Sequence, residues 1–150
     1  MKSIFNPEVT SEITNRINKL TPDSQPQWGK MSVDQMLAHC CVSYENVYDD
    51  IHPKPGAFKA LLLKLVVKNI VVSEKPFKRN LRTAPEFIMK DAKNFEAEKK
   101  RLLEYISKTQ QLGESYFDGK ESRSFGKLKK NEWNNMFYKH LNHHLGQFGV

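Results

Sequence analysis

Apolar residues recur at the three- and four-residue spacing of α-helices in five segments of the chain, and strand signals are nearly absent. The predicted helices cover residues 7–20, 32–51, 57–73, 91–112 and 131–147. Four of the five are long enough to cross a small domain. We therefore predict an all-α fold, an antiparallel four-helix bundle with one additional short helical element. Because 150 residues is the usual length of one domain, a single domain over residues 1–150 is expected.

The third predicted helix is rich in Leu and Val, and Lys64 and Lys68 mark its solvent side. The sequence favours a helix buried in the bundle, and the alternative is a helix that lies at a membrane interface. Residues 113–127 are expected to form a polar loop because they contain several glycines and few apolar positions.

Two adjacent cysteines, Cys40 and Cys41, are the only ones in the chain. Neighbouring residues on a helix point about 100° apart, so we expect no disulfide between them. There is no run of about 18 apolar residues that could span a membrane. The first residues do not have the pattern of a signal peptide, and a reduced, cytoplasmic protein is therefore expected.

The net charge of +7 is concentrated between residues 54 and 82, which contain eight basic residues and one acidic residue, Glu74. Such a stretch can attract an anionic partner, whereas the alternative is an ordinary solvated face. Nucleic acid is not the expected partner, because no recognition motif accompanies the charge.

Three of the five histidines lie between positions 140 and 144. On a helical wheel with Trp133 at zero, His140 falls at about −20° and His144 at about +20°, beside Phe137 and in the middle of the apolar face. Burying a polar group without a partner costs about 1–3 kcal/mol. One divalent metal ion would satisfy both imidazoles. The alternative is that each histidine hydrogen-bonds a carbonyl group or a water molecule.

A third ligand would have to come from another helix, since metal sites in bundles are built from facing helices. His39 lies at the border of the apolar face of the second predicted helix. His52 lies in a proline-rich loop and is expected to be exposed, and Cys40 is expected to be a core residue. Because the sequence has no phosphate-binding glycine loop, Gly-x-Ser-x-Gly or Cys-x-x-Cys motif, any chemistry should be metal-centred.

Three segments, residues 28–39, 80–87 and 132–149, resemble the DinB/YfiT-like superfamily of small helical bundles. The resemblance implies an up-down-down-up bundle that is often dimeric, so a homodimer is expected. It also implies three histidines that hold Ni²⁺ or Zn²⁺, one on the second helix and two, four positions apart, on the last. In this sequence His39, His140 and His144 match that pattern.

Some members of that superfamily use the metal to activate a low-molecular-weight thiol for transfer or isomerisation. The resemblance therefore implies a metal-dependent transferase or hydrolase with a small-molecule substrate and a thiol as co-substrate. We expect the pocket to be lined or supported by aromatic residues, namely Trp28, Tyr44, Trp133 and Phe137. The alternative is a non-catalytic binding or dimeric structural module that uses residues 54–82 for an anionic partner.

Overall fold

A computed structural model describes residues 1–49 and 51–150, and its regular structure is almost entirely helical. The four longest helices are α1 (Pro7–Asn18), α2 (Val33–Tyr48), α5 (Phe95–Phe117) and α6 (Lys130–Gln147). Between α2 and α5 lie α3 (Ala57–Leu62), a π-helical turn (Leu63–Val67), α4 (Lys68–Val72) and a 3₁₀ turn (Pro85–Phe87). The predicted all-α class is therefore confirmed.

Helices α1, α2 and α5 begin where side chains satisfy their first backbone N–H groups. The Asn6 side chain accepts hydrogen bonds from Glu8 and Val9 at the start of α1, and Asn94 accepts one from Ala97 at the start of α5. At the start of α2, the Gln35 side chain accepts from the backbone N–H of Ser32 at 3.2 Å. The last contact belongs to a capping box formed by Ser32 and Gln35.

One hydrophobic core joins the four long helices. Helix α2 packs against α5 and α6, and α1 packs against the same two helices. Among the side chains with almost no exposure are Ile13, Ile17, Met36, Leu37, Tyr44, Leu102, Ile106, Phe117, Trp133 and Phe137. Helix α5 contributes Leu102 and Ile106 to this core.

The predicted buried helix over residues 57–73 is wrong in one respect: the segment is helical, but it is not buried. The π-helical turn separates α3 from α4, and Val72 is the one residue of residues 57–72 that is buried. Helix α6 holds the second half of this segment, where Asn135 donates to the carbonyl of Val72 at 2.8 Å and Lys139 donates to that of Ile70 at 2.8 Å. Its apolar face is exposed to solvent, with Phe58 76% and Leu65 70% accessible.

The predicted polar loop over residues 113–127 is also wrong in part. Helix α5 is kinked at Gly113, whose φ 70° and ψ 169° are not helical, and helical structure resumes after it as far as Phe117. Phe117 is fully buried against Trp133 and Phe137, and this contact holds the turn that follows the kink. The rest of the segment contains an antiparallel pair of short strands, β1 (Glu121–Ser122) and β2 (Gly126–Lys127). Within residues 1–49 and 51–150, none of the helices combines the length and hydropathy of a membrane span.

Candidate metal centre

Three imidazoles from two helices meet inside the molecule. Helix α2 provides His39, and α6 provides His140 and His144, which lie one turn apart. One ring nitrogen from each residue lies within 4.8 Å of the other two. His39 and His144 are buried, and His140 is half-buried. The structure thus brings together the three histidines that the sequence singles out.

The hydrogen bonds of His39 determine which of its nitrogens faces the centre. Nδ1 lies 2.8 Å from the carbonyl oxygen of Phe87, in the 3₁₀ turn. A carbonyl only accepts hydrogen bonds, so Nδ1 carries the proton and donates it. In the neutral ring Nε2 is therefore unprotonated, and its lone pair points toward His140.

His144 is oriented in the same manner by a side chain. Its Nδ1 lies 2.8 Å from Oε1 of Gln147, one turn further along α6. The orientation of that amide is fixed because its nitrogen donates to the carbonyl of Trp28 at 2.7 Å. Gln147 therefore accepts the Nδ1 proton of His144, which leaves Nε2 as the free ligand atom.

His140 contacts both the centre and a hydroxyl group. Its Nε2 lies 2.9 Å from Nε2 of His39, and its Nδ1 lies 3.1 Å from Oγ of Ser43. Because His39 Nε2 carries no proton, a hydrogen bond between the two rings requires His140 to donate, and Ser43 then donates to Nδ1. With a cation between the rings the Ser43 hydroxyl would instead accept from Nδ1. Ser43 can serve both arrangements.

Burial keeps these rings neutral. It lowers the pKa of His39, lowers that of His144 to about 3, and holds the pKa of His140 well below its usual range. Neighbouring imidazoles lower each of these pKa values further, since two adjacent positive charges repel one another. Neutral imidazole is the form that binds a metal ion.

The three nitrogens are suitable ligands for a divalent transition-metal ion of intermediate softness, such as Zn²⁺. Zinc–nitrogen bonds are about 2.0–2.1 Å long, so two ligands of a tetrahedral ion lie about 3.3 Å apart. The spacings in the cluster, from 2.9 Å between two of the atoms to at most 4.8 Å, span that value. Imidazole suits Zn²⁺ and Ni²⁺, and a set of three protein ligands leaves a coordination position open.

Three groups around the cluster are not obvious from the sequence: Ser43, Gln147 and the carbonyl of Phe87. Ser43 lies one turn after His39, and Gln147 lies one turn after His144. That spacing is a sequence signal that could have found these two residues. The carbonyl has no such signal, because every residue carries one.

The predicted pocket residues separate into two groups. Trp28 lies beside His143 and lines a cavity of about 250 Å³ together with Phe77 and Arg79. Three others, Tyr44, Trp133 and Phe137, are buried in the core and stack on one another, with Phe137 in the middle. Their role in a substrate pocket stays a prediction.

Cys40 is confirmed as a core residue, and neither cysteine is in a disulfide. The predicted exposure of His52 is wrong. Its Nε2 lies 2.5 Å from Oε2 of Glu45, and its side chain is only 19% exposed. The reason is that the Glu45 carboxylate is buried and needs charged or polar partners, which His52 and Arg101 provide.

Comparison with family models matches residues 6–149 to one family, described as "Protein of unknown function (DUF1569)". No curated protein and no solved structure matches the chain.

Proposed function

The chain belongs to the DUF1569 family, and we propose that it is a divalent-metal-binding helical protein in which His39, His140 and His144 hold the metal. The observation that carries this proposal is the convergence of three neutral imidazole nitrogens. The nitrogen of each ring that faces away from the cluster is Nδ1. This outer nitrogen forms a hydrogen bond with the carbonyl of Phe87 in His39, the hydroxyl of Ser43 in His140 and the amide oxygen of Gln147 in His144. Such outer contacts are typical of metal-binding histidines, because they fix the ring and its tautomer.

We further propose that residues 1–150 form one DinB-like domain, a four-helix bundle with up-down-down-up connections. Two observations support this. The four long helices share one core, and the ligands come from the second and the last of these helices in chain order, α2 and α6. The resemblance to the DinB/YfiT-like superfamily implies the same arrangement. We also propose that the protein forms a homodimer, as the resemblance implies.

The chemistry that we propose is metal-dependent transfer or hydrolysis with a small-molecule substrate. Ni²⁺ or Zn²⁺ with three protein ligands would supply an open position at which a thiol is bound as the thiolate. The protein's own residues hold the three rings in place and keep them neutral. Trp28 and the cavity beside His143 lie next to this centre, since His143 and His144 are adjacent in α6 and their rings are 5.0 Å apart.

The first test is elemental analysis of tag-free protein, as purified and after incubation with Zn²⁺ or Ni²⁺ and desalting. We expect about one metal ion per chain. His144→Ala should abolish tight binding while the helix content, measured by circular dichroism, is retained.

The matched control is His143→Ala, which removes a neighbouring histidine of the same helix that is outside the cluster. This variant should still bind the metal. Equal binding by His144→Ala and the wild-type protein, or no retained metal under any condition, would overturn the proposal.

A further inference from the structure

Residues 57–72, the outer helix, expose apolar side chains that folded proteins usually bury. Phe58 is 76% exposed, Leu65 70% and Val66 65%, and Leu61, Leu62 and Ile70 are also exposed. Their spacing of three and four residues places most of them on one face of the helix. Single exposed apolar residues are ordinary, but a contiguous patch marks an interaction surface.

Exposed basic residues occur within the outer helix and on both sides of it in the sequence. Lys54, Lys59, Lys64, Lys75, Lys78, Arg79 and Arg82 are exposed. No acidic residue occurs between residues 51 and 73, and the carboxylate of Glu74 lies 3.4 Å from the amino group of Met1. The outer helix therefore combines exposed apolar side chains with lysines, and the segments that flank it in the sequence are positively charged.

One side of the outer helix packs against α6. These contacts determine that the opposite side is exposed. Lys68 forms an ion pair with Glu132 at 3.0 Å, and Asn135 and Lys139 bond the carbonyls at the end of α4. Val72 is buried on this inner side. The exposed face is thus held outward by specific contacts.

The positive charge of residues 54–82 indicates which kind of partner fits the exposed face of the outer helix. A second copy of the chain would bring two strongly positive segments together, and they would repel one another. Nucleic acid would engage the lysines but would leave the apolar side chains in water. An anionic lipid surface satisfies both, since its headgroups attract lysine and arginine and its acyl boundary accepts apolar side chains.

We propose that the outer helix docks on membranes that contain anionic lipids, with Phe58, Leu61 and Leu65 inserted at the interface and the flanking lysines on the headgroups. The helix would lie along the surface. This inference is independent of the metal, because none of the three histidine ligands belongs to the outer helix.

Sedimentation of the full chain with lipid vesicles tests the proposal. We expect binding to phosphatidylcholine vesicles with about one third phosphatidylserine, and little binding to phosphatidylcholine alone. Binding should weaken as NaCl rises from about 0.05 to about 0.5 M, because salt screens the attraction.

Two variant pairs separate the apolar and electrostatic contributions. Phe58→Ser with Leu65→Ser should weaken binding about tenfold or more, since both side chains lose their favourable transfer from water. Leu112→Ser, an exposed apolar residue of α5, should bind like the wild-type protein. Lys59→Glu should weaken binding, whereas Lys30→Glu, an exposed lysine outside the basic stretch, should have a much smaller effect.

All these positions are exposed, so the variants should keep the wild-type thermal midpoint. The proposal fails if the protein does not bind anionic vesicles at low salt, or if Phe58→Ser with Leu65→Ser binds them normally. A wild-type dimer that this double variant converts to monomers, without any vesicle binding, would assign the face to a second copy instead.

Discussion

At the scale of single residues, the candidate centre depends as much on the outer nitrogens of the histidines as on the ligand atoms. Gln147 illustrates how closely these contacts are packed. Its side chain joins His144 to the backbone of Trp28, and a Cβ atom at Gly29 would lie 2.6 Å from its amide nitrogen. Gly29 also has φ 84°, a region that other residues rarely adopt. The glycine after Trp28 is therefore required by the geometry of the centre.

Ser43→Ala tests the outer contact of His140. In the metal-bound protein the Ser43 hydroxyl accepts the Nδ1 proton, and its removal leaves a half-buried N–H group without that partner. We expect metal affinity to fall about 10- to 100-fold, the usual effect of losing such a contact. Isothermal titration calorimetry with Zn²⁺ measures it.

Ser11→Ala, at an exposed position of α1, is the control and should bind with wild-type affinity. An unchanged affinity in Ser43→Ala would show that the hydroxyl does not orient His140.

At the scale of elements, the sequence pattern predicts where helices form better than where they end. The spacing of apolar residues places α1, α2 and α6 within a few residues of their observed bounds. The helical backbone breaks at Gly113, where the sequence predicts the helix to end, and helical structure then resumes as far as Phe117, which packs against Trp133 and Phe137. The glycine therefore interrupts the helix as the local signal predicts, and core packing of Phe117 adds a further helical turn beyond the kink.

Gly113→Ala tests this explanation. At φ 70° and ψ 169° a side chain introduces backbone strain, although no atom lies close enough to clash with the new Cβ. We expect a loss of about 1–3 kcal/mol in the free energy of unfolding, measured by urea denaturation.

Gly56→Ala is the matched control, since Gly56 has φ −60° and open space around its Cβ position. It should be neutral or slightly stabilising. If the two alanine variants are equally stable, the left-handed conformation at Gly113 is not required.

At the scale of the whole molecule, polar groups buried between helices connect distant parts of the chain. The histidine cluster joins α2 to α6 across about one hundred residues of sequence, and the 3₁₀ turn adds its carbonyl. Glu45 joins α2 to α5 through Arg101 and to the following loop through His52. A metal ion bound by the three histidines should therefore stabilise the fold as a whole.

Metal binding should accordingly raise the thermal midpoint. A ligand that binds only the folded state at 100 times its Kd adds about 2.7 kcal/mol, or about 5–10 °C for a protein of this size. Differential scanning calorimetry with Zn²⁺, compared with EDTA, measures the shift.

The same experiment on His39→Ala should show little or no shift, since one of the three ligands is removed. A full shift in this variant would mean that the ion binds elsewhere on the folded protein.

The sequence by itself determined the helical class and the segments that become helices, and it placed His140 and His144 on one apolar face, whereas His39 was expected as the third ligand from the family resemblance. The reason is that helical spacing is a local property, and it identifies an apolar face without knowledge of the neighbouring elements. Tertiary structure decided what covers each face. It left the apolar side of residues 57–72 in solvent and buried the contact between His52 and Glu45. It also supplied the Phe87 carbonyl to His39, a backbone group that no residue type in the sequence could indicate.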